Sequence, residues 1–226
     1  MTWEWIPPVV LGALLSMAYP WGKRLLQHWR RPVLEFVLPE HESERYITLP
    51  LADGKGDGRF VAVKVRNCGR SAATGCYVRL LALFRRETEG DWRRVIEIRD
   101  PEMVPWANRG LERGYACETV ETDIPLTISL CVCRSVEPKA VLFQIREAGE
   151  IDGRQFADGR QRAFAEGEYR VLLRVYSDNA KAATGCFDIA NGYTVQALTI
   201  SAVQREQADA LLARYSLGSV SESQRR

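Results

Sequence analysis

Six cysteines carry the widest chemical range in this 226-residue chain: Cys68, Cys76, Cys117, Cys131, Cys133 and Cys186. Zinc sites place paired cysteines about two to four residues apart and add a second pair or histidines. Only Cys131 and Cys133 are close, with a single residue between them, and the two histidines, His28 and His41, are remote in sequence. A disulfide between Cys131 and Cys133 would close an unfavourably tight ring. The pattern implies free thiols in a reducing compartment and no metal. Asp53, Gly54, Lys55, Gly56, Asp57 and Gly58 outline a calcium loop, but Lys55 and Lys64 stand where that loop needs oxygen ligands. The acidic pairs Glu40/Glu42 and Asp152/Asp158 fall in polar connections, where solvated turns are expected rather than acid–base pairs. No histidine–nucleophile motif of catalytic type stands out in the sequence, and no glycine-rich loop of phosphate-cradling type is present. The expectation is a non-enzyme without a cofactor.

Binding is the remaining chemistry. Residues 61–78 and 171–188 align without a gap, matching Val61, Val65, Ala72, Ala73, Thr74, Gly75 and Cys76 to Val171, Val175, Ala182, Ala183, Thr184, Gly185 and Cys186. A sandwich domain needs about 100 residues, so the lengths favour two similar hairpins in one sandwich over two tandem domains. Local convergence on a common hairpin explains the match. A functional reading places both Ala-Ala-Thr-Gly-Cys turns at one end of the sandwich, where Thr74, Gly75, Thr184 and Gly185 form a binding edge. A second candidate is the proline-framed connection of residues 101–110, with Met103, Trp106 and Arg109 as interface anchors. Trp106 could instead cap the core.

These residues need a scaffold, and the chain begins with an element of a different kind. An uncharged run from Trp5 to Trp21, with Leu11, Leu14 and Leu15 at its centre, stops against Lys23, Arg24, Arg30 and Arg31. A helix needs about 20 residues to span a bilayer core. Aromatic ends and a one-sided cationic flank read as a membrane anchor with a fixed orientation. A cleaved signal peptide and a buried or interfacial helix are the alternatives. The positive-inside bias puts everything from Gly22 onward in the cytoplasm, so the expectation is a single-pass protein of the inner membrane with lipid as one partner. Removing the four cations of residues 22–31 and the anion Glu4 from the net +2 leaves −1 for residues 32–226. A near-neutral body with mixed charges has no basic face for nucleic acid.

Period-two alternation recurs from Tyr46 to Ile200. Val61, Val63 and Val65 share one face; Tyr169, Val171, Leu173 and Val175 share another. Leu126, Ile128, Leu130 and Val132 make a third, and Val141, Phe143 and Ile145 a fourth. Residues 76–84 are apolar on both faces apart from Arg79, as in a central strand. Residues 92–98 and 193–200 are further strand candidates. Residues 203–215 hold strong helix formers without glycine or proline, with an apolar stripe of Ala208, Leu211, Leu212 and Tyr215. The sequence therefore predicts an all-β antiparallel sandwich over 32–202, preceded by an anchor with its basic stretch over 1–31 and followed by a short helix and tail over 203–226.

Val63 through Thr74, with Asn67, Gly69 and Ala72 in its turn, resembles a strand and Asn-x-Gly-x-x-Ala turn of bacterial immunoglobulin-like modules. Residues 167–175, which open on Gly167 and Tyr169, resemble the penultimate strand of such modules. The resemblance implies an immunoglobulin-like sandwich in which Tyr169 forms a corner by bonding upstream backbone. The paired cysteines and tryptophan of antibody domains are missing. Such modules bind proteins or sugars or act as spacers. The functional expectation is a membrane-anchored, non-catalytic scaffold facing the cytoplasm and engaging a partner protein. An extracytoplasmic ligand- or sugar-binding sandwich is the first alternative, and an enzyme assembled only in three dimensions is the second.

Overall fold

A computed structural model describes residues 31–50, 56–87, 91–96, 102–107, 117–135, 137–143, 162–192 and 194–214. The anchor run, Lys23, Arg24, Arg30 and Arg109 lie outside the described residues, as does most of the polar stretch between residues 149 and 167. Among the described residues no helix is long and apolar enough to cross a membrane.

Thirteen strands form the described body: β1 (Leu34–Val37), β2 (Tyr46–Pro50), β3 (Asp57–Asn67), β4 (Ala73–Arg86), β5 (Trp92–Ile96), β6 (Glu102–Val104), β7 (Glu118–Val120), β8 (Leu126–Arg134), β9 (Glu137–Phe143), β10 (Arg162–Phe164), β11 (Gly167–Tyr176), β12 (Ala183–Asn191) and β13 (Thr199–Ala202). A one-turn helix, α1 (Glu42–Arg45), precedes β2, and α2 (Arg205–Arg214) ends the described chain. The strands pair antiparallel in two sheets. The first runs β1-β3-β8-β9-β10, with β2 also on β3; the second runs β13-β12-β11-β4-β5, with β6 and β7 also on β4. This is a β-sandwich-like fold, and the two sheets close on one another because each strand carries an apolar face that must leave water.

The alternation read along the chain meets in that interior. Val61, Val63 and Val65 of β3 pack in one buried cluster with Tyr169, Val171, Leu173 and Val175 of β11. The Tyr169 hydroxyl donates to the Ala165 carbonyl at 2.5 Å, the upstream backbone bond expected of this tyrosine. Tyr46 ties the sheets together, its hydroxyl accepting from the amide of Ile200 in β13 at 2.9 Å. Gly185 explains a close approach: a Cβ there would lie 2.7 Å from the ring of Phe36, which crosses from the first sheet to meet Phe187 edge-on.

Three expectations change. First, the β3–β4 segment is no hairpin. Its strands belong to different sheets, so residues 68–72 form an arch across the sandwich, whereas β11 and β12 are true neighbours. Second, Val132 leaves the face assigned to it. Val61 pairs with Cys131 and Ala62 with Ser129, so Leu130 is an extra residue in β8. This bulge turns Cys131 and Cys133 into the core beside Leu130 and moves Val132 out of that cluster, because one residue of slip inverts every later side chain. Third, residues 193–200 are not one strand. A 3₁₀ turn, Val195–Ala197, intervenes, and pairing resumes only at Thr199.

A second bulge sets the outer face of the second sheet. Leu172 pairs with Ala82 and Leu173 with Leu80, leaving Leu81 as the extra residue in β4. Leu81, Ala82 and Phe84 then project outward with Leu172 and Cys186, and α2 covers them with Ala208 and Leu211. That covering helix is why β4 is apolar on both faces.

Candidate functional site

The helix α2 covers only part of the outer face. Toward the end of the sandwich that holds the β3–β4 arch, the same strands present a different set. Met103, Arg79, Arg174 and Thr184 are successive register neighbours across β6, β4, β11 and β12. In the adjoining row Tyr77 faces Tyr176. Directly paired residues share a face of the pleat, so these six side chains form one surface. All six are half-buried.

The two rings stack, with centroids 5.2 Å apart and planes 13° from parallel. Arg79 lies over both, its guanidinium 5.1 Å from the Tyr77 centroid and 5.6 Å from that of Tyr176. Such cation–π contacts hold a guanidinium flat against the rings. Arg174 is steadied by its Nε donating to the Thr184 hydroxyl at 3.3 Å. Like charges directly opposite one another destabilise a sheet. Here Arg79 and Arg174 are such a pair, and among the described residues neither forms an ion pair with a carboxylate. The Arg79 Nε is buried and has no hydrogen-bond partner. Buried donors are nearly always satisfied, so an orphaned one needs an explanation. Chemically, two forked guanidinium groups beside a stacked aromatic pair suit a carboxylate-bearing ligand.

The covered half treats a cation differently. Arg170 donates from Nε and an Nη to both oxygens of Asp188, at 2.6 and 2.7 Å, and stacks on Trp92 at 4.2 Å. That bidentate pair raises the Arg170 guanidinium above its usual value, chiefly through the bond to Asp188. Under α2, burial pushes the Cys186 thiol up to about 12.

The sequence-derived candidates divide. Met103 and Thr184 join the surface just described. Thr74 and Gly75 border it at the end of β4, where the two similar turns touch. The Thr74 amide donates to the Asn179 side-chain carbonyl at 3.0 Å, the Ser177 hydroxyl to the Thr74 carbonyl at 2.9 Å, and the Asn179 side-chain amide to the Ala72 carbonyl at 2.9 Å. Gly75 has φ +62°, and a Cβ on it would strike the Asp178 carboxylate at 2.0 Å. Gly185 serves core packing instead. Trp106 is 3% exposed within the core cluster, so it fills the interior rather than meeting a partner. Sequence reasoning missed Tyr77, Arg79, Arg174 and Tyr176. The signal was present, since Arg79 is the one charged residue in 76–84 and Arg174 sits opposite the apolar face of its strand.

All six thiols are free. Cys131 and Cys133 are buried on the core face, and burial raises both above the ordinary thiol value. Cys76 and Cys186 lie on opposite faces of the second sheet, which prevents their pairing. Exposed Cys68 donates to a Glu35 oxygen at 3.0 Å, and that bond raises the thiol. Among the described residues no cluster of three or more His, Cys, Asp and Glu side chains could hold a metal. No protein-family model matches this chain, and no curated protein matches it.

Proposed function

We propose that this chain is a membrane-anchored, non-catalytic β-sandwich of immunoglobulin-like type, facing the cytoplasm, that binds a partner protein through the half of its second sheet that α2 does not cover. The observation carrying this reading is the pair of directly opposed arginines, Arg79 and Arg174, held beside stacked Tyr77 and Tyr176 with no carboxylate paired to either among the described residues. Tyrosine and arginine are, with tryptophan, the residues enriched where interfaces concentrate their energy. A partner segment carrying Asp or Glu would relieve the repulsion between the guanidinium groups. The uncharged run from Trp5 to Trp21 with its basic flank supports the anchor and the cytoplasmic side.

The test is position-specific crosslinking in intact cells. A photoreactive residue at Tyr176 is expected to give a discrete adduct, one at the exposed Val95 none, and the adduct at Tyr176 is expected to vanish in an Arg79→Glu/Arg174→Glu background. An adduct unchanged by the double charge reversal would sink the reading.

A further inference from the structure

The arch end of the sandwich has a feature the reading above does not use. Asn67, at the end of β3, is fully buried and gathers three segments: residues 31–33, the 68–72 arch and β7. Its side-chain carbonyl accepts from the amides of Val33, at 3.1 Å, and Gly69, at 2.9 Å; its amide donates to the carbonyls of Ser71, at 2.7 Å, and Val120, at 3.1 Å. Residues 31–33 are thereby clamped to the body. Pro32 is buried. A Cβ on Gly69 would lie 2.5 Å from the Arg31 carbonyl oxygen and from the Pro32 Cα. The Cys68 amide donates to the Val33 carbonyl at 2.8 Å, and Val33 also bridges to Lys181 beyond β11. The chain therefore enters the described body at this end, with Arg31 already held against it.

Four large apolar side chains are conspicuously exposed in the described body: Val33 (56%), Leu49 (49%), Val95 (41%) and Ile124 (60%). Two of them belong to the clamped end. Val33 precedes Leu34, which pairs with Asn67 on one side of β3, and Ile124 follows Thr122, which bridges Asn67 on the other. Two strand spacings separate those positions, about 10 Å. Leu49, opposite Gly58, and Val95, beside Phe84, belong to the far end. Arg31, Arg70 and Lys181 are exposed around the clamp, together with Glu121, Asp123 and Asp178. Their charges balance, so a contact made here depends on apolar insertion with polar groups at the rim.

We infer that this end is a lipid-contact surface, in which Val33 and Ile124 enter the headgroup–acyl boundary and the Asn67 clamp holds the entry of the chain into the body beside them. The inference rests on the anchor proposed above. An anchor preceding Arg31 brings this end, rather than the far one, toward the bilayer. Contact there leaves the arginine–tyrosine surface on the flank of the sandwich, open to a partner alongside.

The test uses the full chain in phosphatidylcholine vesicles. In a Cys68→Ser/Cys117→Ser background, where serine keeps the donor to Glu35, cysteine is placed at Val33, Ile124, Leu49 or Val95 and labelled with an environment-sensitive dye. Brominated acyl chains are expected to quench the dye at 33 and 124 and to leave it unquenched at 49 and 95. A chain that resists alkaline extraction but shows no quenching at 33 and 124 overturns the lipid-contact surface while the anchor stands. A chain released by alkaline wash overturns the anchor and the surface together. Matched far-ultraviolet circular dichroism of the four labelled proteins establishes that each is folded.

Discussion

The outer face of the second sheet carries two regions built from the same strands, β4, β11 and β12. Under α2, Leu81, Ala82, Phe84, Leu172 and Cys186 are shielded, and the cation there, Arg170, is bonded at both forks to Asp188. A few residues along, Arg79 faces Arg174 with neither neutralised by a carboxylate among the described residues, and an orphaned donor remains. One region resembles a domain interior, and the other sets two cations side by side beneath no covering helix. The contrast teaches that this sheet can neutralise an outward guanidinium with a carboxylate of its own and, among the described residues, does not do so at Arg79 and Arg174.

Mutations should respond to that division with opposite signs. Phe84→Ala, deep under the covered half, is expected to cost about 3–5 kcal/mol of unfolding free energy in urea titration, from lost burial plus the cavity left behind. Leu211→Ala on α2 removes part of the cover at a partly yielding site, so about 2 kcal/mol is expected. The same variant should speed alkylation of Cys186, read by mass spectrometry, because a thiol pushed up to about 12 by burial reacts only when α2 lifts. Arg174→Glu in the open half should do the reverse. A carboxylate opposite Arg79 replaces repulsion with attraction, stabilising the fold by roughly 0.2–1 kcal/mol while abolishing the crosslink at Tyr176. A loss of stability there would erase the distinction between the two regions. Thr184→Val, which removes only the hydroxyl that steadies Arg174, should shift stability by less than about 0.5 kcal/mol.

The two matched segments sharpen the same lesson. Gly75 and Gly185 occupy corresponding positions in the Ala-Ala-Thr-Gly-Cys turns, and each is glycine for its own reason. Gly75 takes a left-handed backbone under the Asp178 carboxylate, and Gly185 lets the Phe36 ring approach. Cys76 and Cys186 match as well, yet one faces the core and the other faces α2. The shared letters concealed an inter-sheet arch in one copy and a hairpin in the other. Much of the candidate site was legible only as polarity. Arg79 and Arg174 could be placed on outward faces, but their opposition across β4 and β11 depends on a register set by strands about a hundred residues apart in sequence.

Alternation along single strands was enough to establish an all-β body and the core faces of β3 and β11, and helix formers with an apolar stripe were enough for the short helix near the end. Those features follow from local geometry, since side chains in a strand alternate by necessity and a helix needs only a few turns of sequence. Tertiary structure alone decided the rest: which sheet each strand joined, where Leu81 and Leu130 would bulge, and which half of the outer face α2 would leave bare. A single extra residue inverts a strand, and a partner strand is chosen by packing summed over the whole sandwich, so no local window of sequence contains that information.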